Sequence, residues 1–454
     1  MAMCDASLRR MTWSDVLRAA KVQAAQIEVC FDRNPGMARR IGYSSNNSLA
    51  EVITAIASML LGAVEVPFDS RVDDAQRTFD TNYGGLWVEP SFFDQRGGSD
   101  LAFGSRLDFN SKSLIDHPAL ILQTSGTTAQ PKGVVHTHRG LLLNAAAKLS
   151  AVPQTTEDVR LCSLPLAHAY ARTCDFGTWL LSGSTLAIGH GYSAWKTLAP
   201  LAKPTLANTV PSLADRLLVS DSKQVGTGEL KLLGCGGAAM LETDFMKWAD
   251  RGVAVIQGYG LTETGPVICS STPESAVPGF VGGFVEGWEY QIRNGVLHVR
   301  GPSLMQGYFG DTAATRQSVD ADGWFNTGDL VEFDKSIGQL RVLGRSDDVI
   351  VLDNGRKVNP RSVEEKIEQL GLIRHAVVVG AGRRIAAWVE LSTQHHDTDV
   401  SAQIKRVLKG MPQWYQPAEI NLFDEPLSES TGCLTSKGSI RRNAVRTYID
   451  NINR

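Results

Sequence analysis

A short segment rich in hydroxyl groups and glycine, with one lysine, has the residue types that hold phosphate groups. Residues 123–133 read QTSGTTAQPKG. Backbone N–H groups of a glycine-rich turn can point at an anion, the hydroxyls add donors, and the lysine supplies a point charge. No Gly-Lys-Ser/Thr follows at the Walker spacing, and an ordinary surface turn is the alternative interpretation. The segment predicts a triphosphate site formed by Thr124, Ser125, Gly126, Thr127, Thr128 and Lys132.

The flanking sequence predicts how this loop is held. Residues 118–123 form a short apolar run of strand type, and residues 139–148 have the pattern of a buried helix. The loop is therefore expected to connect a strand to a helix, which is a common place for phosphate groups to bind.

Composition narrows the class of protein. The 454 residues are 43% hydrophobic and 20% charged, with a formal net charge of −3, so there is no basic surplus for nucleic acid or for a polybasic membrane anchor. Seven scattered cysteines without a Cys-x-x-Cys motif predict reduced thiols. The polar N-terminus lacks a signal-peptide core, and the apolar run 52–64 is too short to span a bilayer. We therefore expect a cytoplasmic protein without a membrane span.

The order of patterns predicts an α/β protein with two domains. Strand-like runs such as 185–188 and 253–256 alternate with helical stretches such as 213–220, which indicates a large layered α/β N-terminal domain over residues 1–345. Residues 346–454 then contain a hairpin pattern flanked by helices and predict a small α+β C-terminal domain. Its first helix has Asn359 as the expected N-cap and Pro360 at the first helical position.

Four more segments follow the phosphate loop in a fixed order. They read GYGLTETG at 258–265, GWFNTGD at 323–329, GR at 344–345 and LTSKGSIR at 434–441. Together with the loop they resemble the adenylate-forming superfamily of acyl-CoA synthetases, firefly luciferases and peptide-synthetase adenylation domains, and the acyl-CoA synthetases above all. The resemblance implies an ATP- and Mg²⁺-dependent ligase that forms an acyl adenylate and pyrophosphate, then transfers the acyl group to CoA.

The resemblance also implies roles for the charged residues. A carboxylate that attacks the α-phosphate must overcome the repulsion between two anions, so cations are needed where charge develops. Lys437 matches the lysine that bridges the substrate carboxylate and the α-phosphate. Glu263 matches the Mg²⁺ ligand, a role that suits one carboxylate beside phosphates, and Thr262 matches a phosphate contact.

Nucleoside contacts are implied in the same way. Asp329 is expected to bind the ribose hydroxyls with help from Arg345, and Tyr259 to stack on adenine. The adenine is also expected to approach Gly236, Gly237 and Ala238, where missing or small side chains leave the backbone open. Packed core for Tyr259 and a β-bulge for the glycines are the competing interpretations.

The remaining assignments concern the acyl group, the thiol and domain motion. The resemblance implies a hinge at Asp347 about which the C-terminal domain rotates, a thiol tunnel lined by Gly355, and an acyl-pocket wall or gate at His168. Position 129 is Ala where a glycine is commoner, Lys437 precedes Gly438 instead of following a glycine, and the chain is short before residue 116.

Substrate and partners follow from the same resemblance. A fatty acid, or an aryl acid such as o-succinylbenzoate, is the expected carboxylic acid, in a monomer or homodimer. Two alternatives stay open: a stand-alone enzyme that loads an acyl carrier protein, and a non-catalytic nucleotide-binding scaffold.

Overall fold

The computed structural model describes residues 1–5, 9–89, 115–124, 131–392, 399–428, 430–434 and 440–452. Within these residues the strands are β1 (Met3–Asp5), β2 (Arg10–Met11), β3 (Arg40–Ser45), β4 (Val64–Asp69), β5 (Leu86–Trp87), β6 (Pro118–Gln123), β7 (Gly133–Thr137), β8 (Val159–Cys162), β9 (Thr185–Ile188), β10 (Leu206–Thr209), β11 (Leu232–Cys235), β12 (Ala254–Tyr259), β13 (Cys269–Ser270), β14 (Gly283–Phe284), β15 (Glu289–Arg293), β16 (Val296–Arg300), β17 (Gly307–Tyr308), β18 (Phe325–Asp334), β19 (Gln339–Arg345), β20 (Ile350–Val351), β21 (Lys357–Val358), β22 (Ile373–Ala381), β23 (Arg384–Leu391) and β24 (Glu419–Leu422).

The α-helices of the same residues are α1 (Trp13–Arg33), α2 (Leu49–Leu61), α3 (Ala75–Asn82), α4 (His138–Ala151), α5 (Ala169–Ala171), α6 (Thr178–Ser182), α7 (Gly191–Thr197), α8 (Ala199–Ala202), α9 (Pro211–Leu218), α10 (Glu242–Asp250), α11 (Thr312–Ser318), α12 (Pro360–Glu368), α13 (Val400–Val407) and α14 (Arg442–Ile452). A π-helical segment covers Arg172–Gly177, and 3₁₀ turns cover Thr262–Thr264 and Gln413–Tyr415.

Two large, mainly parallel sheets form the framework of the N-terminal domain. Across the described residues one sheet has the order β14-β13-β12-β11-β10-β8-β9-β1-β2 and the other has the order β17-β7-β6-β4-β3-β5. Strands β8 to β12 pair in parallel in the first sheet, and β3 to β6 do so in the second. The carboxyl ends of parallel strands are where α/β proteins bind ligands, so these edges locate the site.

Helices α1 and α2 lie between the two sheets. The Thr12 hydroxyl caps α1 by accepting a hydrogen bond from the Asp15 N–H. The first half of α1 packs with Trp179 and Leu186 in the core beside the nine-stranded sheet, and its second half packs with Ile41 of the six-stranded sheet. The apolar run 52–64 lies mostly in α2, which begins and ends three residues earlier.

The π-helical segment ties both sheets together through two buried ion pairs. Arg172 bonds Glu65 of β4, which also accepts the Tyr43 hydroxyl. Asp175 bonds Arg160 of β8 at 2.7 Å. Removing one partner of such a pair leaves an uncompensated buried charge, so this segment fixes one sheet relative to the other.

Helix α4 and the π-helical segment both bond the segment that carries the Gly258–Gly265 motif. The Asn144 side chain donates to the Val267 carbonyl at 2.8 Å and accepts from its N–H at 2.9 Å, and the Thr173 hydroxyl donates to the Gly265 carbonyl at 2.6 Å. The prediction of a buried helix here is correct for this face and wrong for the other, because Leu142 and Leu143 are 47% and 39% exposed.

Smaller sheets complete the chain. Strands β15-β16-β18-β19 form an antiparallel sheet, β20 and β21 form a hairpin, and β22-β23-β24 form the sheet of the C-terminal domain with α12 packed on it. Asn359 caps α12 as expected, because its side chain accepts from the Arg361 N–H. The expected architecture of a large α/β domain followed by a smaller α+β domain is confirmed. None of the described helices is both long and apolar enough to cross a membrane.

Candidate functional site

Asp329 is the centre of a polar cluster at the junction of three strands. Its Oδ2 accepts the Tyr259 hydroxyl of β12 at 2.5 Å, and its Oδ1 lies 3.4 Å from Nη1 of Arg345. Strands β18 and β19 pair Asp329 with Arg345 directly. The same guanidinium donates to the Thr327 carbonyl at 2.7 Å, so three residues predicted to bind nucleoside lie together.

The backbone conformation beside this guanidinium favours a glycine. Gly328 has φ +71°, a conformation that favours glycine, and a Cβ built on it would lie 2.6 Å from Nη2 of Arg345. The Thr-Gly-Asp sequence therefore does two things: it turns the chain and leaves room for the arginine.

Burial and the neighbouring polar groups act in opposite directions on the Asp329 carboxylate. Burial raises the pKa of Asp329, while hydrogen bonds from Tyr259 and the charge of Arg345 act against that rise. Burial and the adjacent carboxylate raise the pKa of Tyr259 well above its usual value, so its hydroxyl stays protonated and donates. A carboxylate has about four acceptor positions, and the two recorded donors leave capacity for a ligand.

Glu263 and Lys132 form a second cluster through Tyr308. The Tyr308 hydroxyl donates to Oε1 of Glu263 at 2.8 Å, and the Lys132 ammonium lies 4.7 Å from the centre of the Tyr308 ring. The 3₁₀ turn that carries Thr262 and Glu263 is held by the Met305 N–H, which donates to the Glu263 carbonyl at 2.8 Å. Burial and Glu263 raise the pKa of Tyr308, while the Arg345 charge acts against that rise. The chain itself links the two clusters, because β12 ends at Tyr259 and the turn that carries Glu263 follows within three residues.

The described ends of the phosphate loop face each other. The Thr124 N–H donates to the Lys132 carbonyl at 2.9 Å, and the Lys132 N–H donates to the Thr124 hydroxyl at 3.2 Å. Ser125, Gly126, Thr127 and Thr128 lie outside the described residues, as does Ala129. The loop therefore joins β6 to the antiparallel strand β7. The expectation that it leads directly into a helix is wrong, because residues 133–137 pair with β6 as a strand and α4 begins only at His138.

His168 lies at the same edge of the six-stranded sheet. Its Nε2 is 2.9 Å from Oδ2 of Asp69, the last residue of β4. The parallel pairing of Glu65 with Leu120 places Asp69 level with Thr124, so the pair is beside the start of the phosphate loop. Burial tends to raise the pKa of Asp69, but hydrogen bonds from Arg71 and His168 hold it far below its usual range.

The remaining predicted site residues lie in different parts of the fold. Gly236 follows β11 and is buried against the Tyr170 ring, while Gly237 and Ala238 are exposed. Asp347 is 3.1 Å from Nε of Arg345. Gly355 lies in the turn between β20 and β21, where an added Cβ would meet no described atom within 4 Å. Lys437 lies outside the described residues.

Sequence reasoning missed Tyr308 and Asp69. Tyr308 is 45 residues from Glu263, and Asp69 is 99 residues from His168, so neither pair produces a local pattern. The local signal that could have pointed to Tyr308 is the glycine before an aromatic pair at residues 307–309.

The residues present fit a Mg²⁺ ion that keeps several water ligands. No group of three or more His, Cys, Asp or Glu side chains able to hold a metal occurs in the described part of the chain. Glu263 is a partly buried single carboxylate that contacts Tyr308, as does the Lys132 ammonium. Mg²⁺ in nucleotide sites is commonly held by one or two carboxylates plus phosphates and water, so Glu263 is the residue that would hold it.

Comparison with known proteins identifies the family. A model described as AMP-binding enzyme matches residues 93–309, and one described as AMP-binding enzyme C-terminal domain matches residues 347–454. The crystal structure of ATP-bound MatB from Rhodopseudomonas palustris superposes with a TM-score of 0.83 at 22% identity, covering 100% of this chain and 96% of that one. The o-succinylbenzoate CoA synthetase MenE from Bacillus subtilis, in complex with ATP and magnesium ion, superposes with a TM-score of 0.80 at 21% identity, covering 97% and 95%.

The chain thus shares the fold of these two proteins. With both family models matched in chain order, the protein belongs to the adenylate-forming superfamily of AMP-binding enzymes.

Two curated relatives are each 27% identical to this chain over the aligned residues. The medium-chain fatty-acid–CoA ligase of Escherichia coli K12 is 27% identical over 74% of this chain and 63% of its own length. The 2-succinylbenzoate–CoA ligase of Bacillus licheniformis is 27% identical over 82% and 81%. The first curated relatives are matched over about three fifths of their own length.

Proposed function

We propose that the protein is an ATP-dependent acid:CoA ligase. In the first step a carboxylate oxygen attacks the α-phosphorus of ATP, the bond to the β-phosphate oxygen breaks, and pyrophosphate leaves. In the second step the CoA sulfur attacks the acyl carbon, AMP leaves, and the thiol proton is released.

The convergence of Tyr259, Asp329 and Arg345 carries this proposal. They come from separate segments, and the structure brings them together. From Tyr259 the chain leads into the turn with Glu263, which Tyr308 links to Lys132. One cluster supplies a carboxylate for two ribose hydroxyls. The other supplies a cation and a carboxylate for the phosphates. The first cluster therefore suits the ribose end of ATP, and the second suits the triphosphate end.

The chain's own residues would each perform one part of the first step. Asp329 would orient the ribose, Lys132 would offset phosphate charge, and Glu263 would hold Mg²⁺, which when bound neutralises charge on the departing pyrophosphate. Lys437 is the proposed cation between the acid and the α-phosphate. Losing such a group is expected to cost roughly 10²–10³ in rate, by analogy with an oxyanion-hole donor.

The second step is proposed to follow a rotation of residues 346–454 about Asp347. Asp347 bonds Arg345 through an exposed ion pair, and a rotation at this point would break a contact of small free energy. We assign Gly355 to the thiol path and His168 to the acyl pocket on the same basis.

The proposed acid is a fatty or aryl carboxylic acid. Relatives carry the names medium-chain fatty-acid–CoA ligase, 2-succinylbenzoate–CoA ligase and feruloyl-CoA synthase. These names cover both classes and support both. A cytoplasmic location is part of the proposal and is supported by the scattered cysteines, which predict reduced thiols.

A carrier protein is the second candidate acceptor. One relative, from Arabidopsis thaliana, is named long-chain-fatty-acid–[acyl-carrier-protein] ligase, and it is 26% identical over 73% of this chain and 60% of its own length. The chemistry of the first step would be the same, and the thiol would be that of a phosphopantetheinyl group on a protein.

The test is to identify the products by mass spectrometry. The protein is incubated with ATP, Mg²⁺ and a panel of fatty and aryl acids, with CoA, with a phosphopantetheinyl carrier protein, or with neither. Acyl-CoA supports the ligase, and acyl-carrier without acyl-CoA supports the second candidate. ATP binding without any acyl adenylate, thioester or pyrophosphate would instead favour a non-catalytic scaffold.

A further inference from the structure

Tyr308 contacts both charged residues of the phosphate cluster with different parts of its side chain. Its hydroxyl donates to the Glu263 carboxylate at 2.8 Å, and its ring faces the Lys132 ammonium at 4.7 Å. A hydrogen bond to a carboxylate is directional, and the face of an aromatic ring attracts a cation. One side chain can therefore orient an anion and a cation at once.

The backbone around Tyr308 is itself fixed. Strand β17 pairs with β7 so that Tyr308 is opposite Val134, and the Phe309 N–H donates to the Gly133 carbonyl at 2.7 Å. The Tyr308 N–H donates to the Thr315 hydroxyl at 2.9 Å. Because β7 begins directly after Lys132, the tyrosine and the lysine are held by the same strand pair.

We infer that Tyr308 is a positioning residue for ATP and Mg²⁺. Its hydroxyl orients Glu263 toward the metal, and its ring orients Lys132 toward the phosphates. The inference rests on the proposed function, because it takes Glu263 and Lys132 to be the residues that meet Mg²⁺ and the phosphates.

The two contacts can be separated by substitution. Tyr308→Phe removes the hydroxyl and keeps the ring, whereas Tyr308→Leu removes both. ATP binding is measured by calorimetry without any acid, first without Mg²⁺ and then across a Mg²⁺ titration. Tyr290→Phe is the matched control, because Tyr290 is 40% exposed and stacks on Phe284 in another sheet.

Each variant has its own expected result. Tyr308→Phe should bind metal-free ATP like wild type and need about three to ten times more Mg²⁺ to reach full affinity, which is the size of an ordinary net hydrogen bond, because the hydroxyl orients the carboxylate and does not itself bind the metal. Tyr308→Leu should in addition bind metal-free ATP about two to five times more weakly, the size of an exposed cation–π contact. Tyr290→Phe should match wild type in both measurements.

A double variant shows whether Tyr308 acts through Glu263. In a Glu263→Gln background, Tyr308→Phe should cause no further change in Mg²⁺ dependence. A further change of the same size as in wild type would overturn the inference, as would an unchanged Mg²⁺ titration for Tyr308→Phe. A wild-type protein that binds no ATP with or without Mg²⁺ would instead refute the proposed function.

Discussion

Replacing Asp329 by Asn tests the nucleoside site most sharply. Asp329 is buried, and its two oxygens already accept from Tyr259 and Arg345. Asn keeps one oxygen and loses the charge, so at least one charge-assisted hydrogen bond to a ribose hydroxyl would be lost. Such a bond contributes roughly 1.5–3 kcal/mol. The expected result is ATP binding about 10- to 150-fold weaker, since 1.4 kcal/mol is a factor of ten.

The assay compares ATP with 2′,3′-dideoxy-ATP by equilibrium binding. Wild type should bind the dideoxy nucleotide at least tenfold more weakly than ATP, and Asp329→Asn should bind both about equally, because the partner of the hydroxyls is gone. Equal binding of both nucleotides by wild type would refute the assignment of Asp329 to the ribose. If the variant instead lost affinity for ATP and for the dideoxy nucleotide by the same factor, it would keep the wild-type preference for ATP. Asp329 would then act only by stabilising the fold.

Three more predictions concern the buried charges and the acyl pocket. Arg172→Met should lower the free energy of unfolding by about 3–5 kcal/mol in urea because Glu65 is left buried and unpaired, and a loss below about 1 kcal/mol would contradict this. Burial raises the pKa of Glu51 from 4.5 to about 7, so its contribution to stability is complete below pH 4.5 and is lost as pH rises through 7. Glu51→Gln should flatten this fall, which is at most about 3 kcal/mol, and an unchanged pH profile would argue against it. Asp69→Asn should raise the KM for the acid about tenfold and add nothing to His168→Ala, whereas additive effects in steady-state kinetics would show that the two residues act independently.

Local patterns predicted the elements that hold the site. The apolar run before Thr124 is strand β6, and the Asn359-Pro360 signal is the start of α12, because capping and strand patterns depend on neighbours in sequence. The strand expected at 253–256 is present as β12 and extends to Tyr259, since its last residues continue the pairing with β13.

Contacts between distant segments could not be predicted in this way. Tyr308 meets Glu263, and Arg172 meets Glu65, only after several strands have assembled. The helix predicted as buried exposes Leu142, because an apolar pattern does not say which face meets a neighbour. Motif resemblance supplied the expected roles of the site residues, and the structure supplied the geometry.

Acid-dependent exchange of labelled pyrophosphate into ATP is the most direct test of the central claim. Adenylation is reversible, so wild type with a substrate acid should exchange label without CoA, and Lys437→Ala should lower the exchange by about 10²–10³. Nucleotide binding measured in parallel shows that the variant is folded. A wild-type protein that binds ATP and exchanges no label with any fatty or aryl acid would contradict the account, as would full exchange by Lys437→Ala.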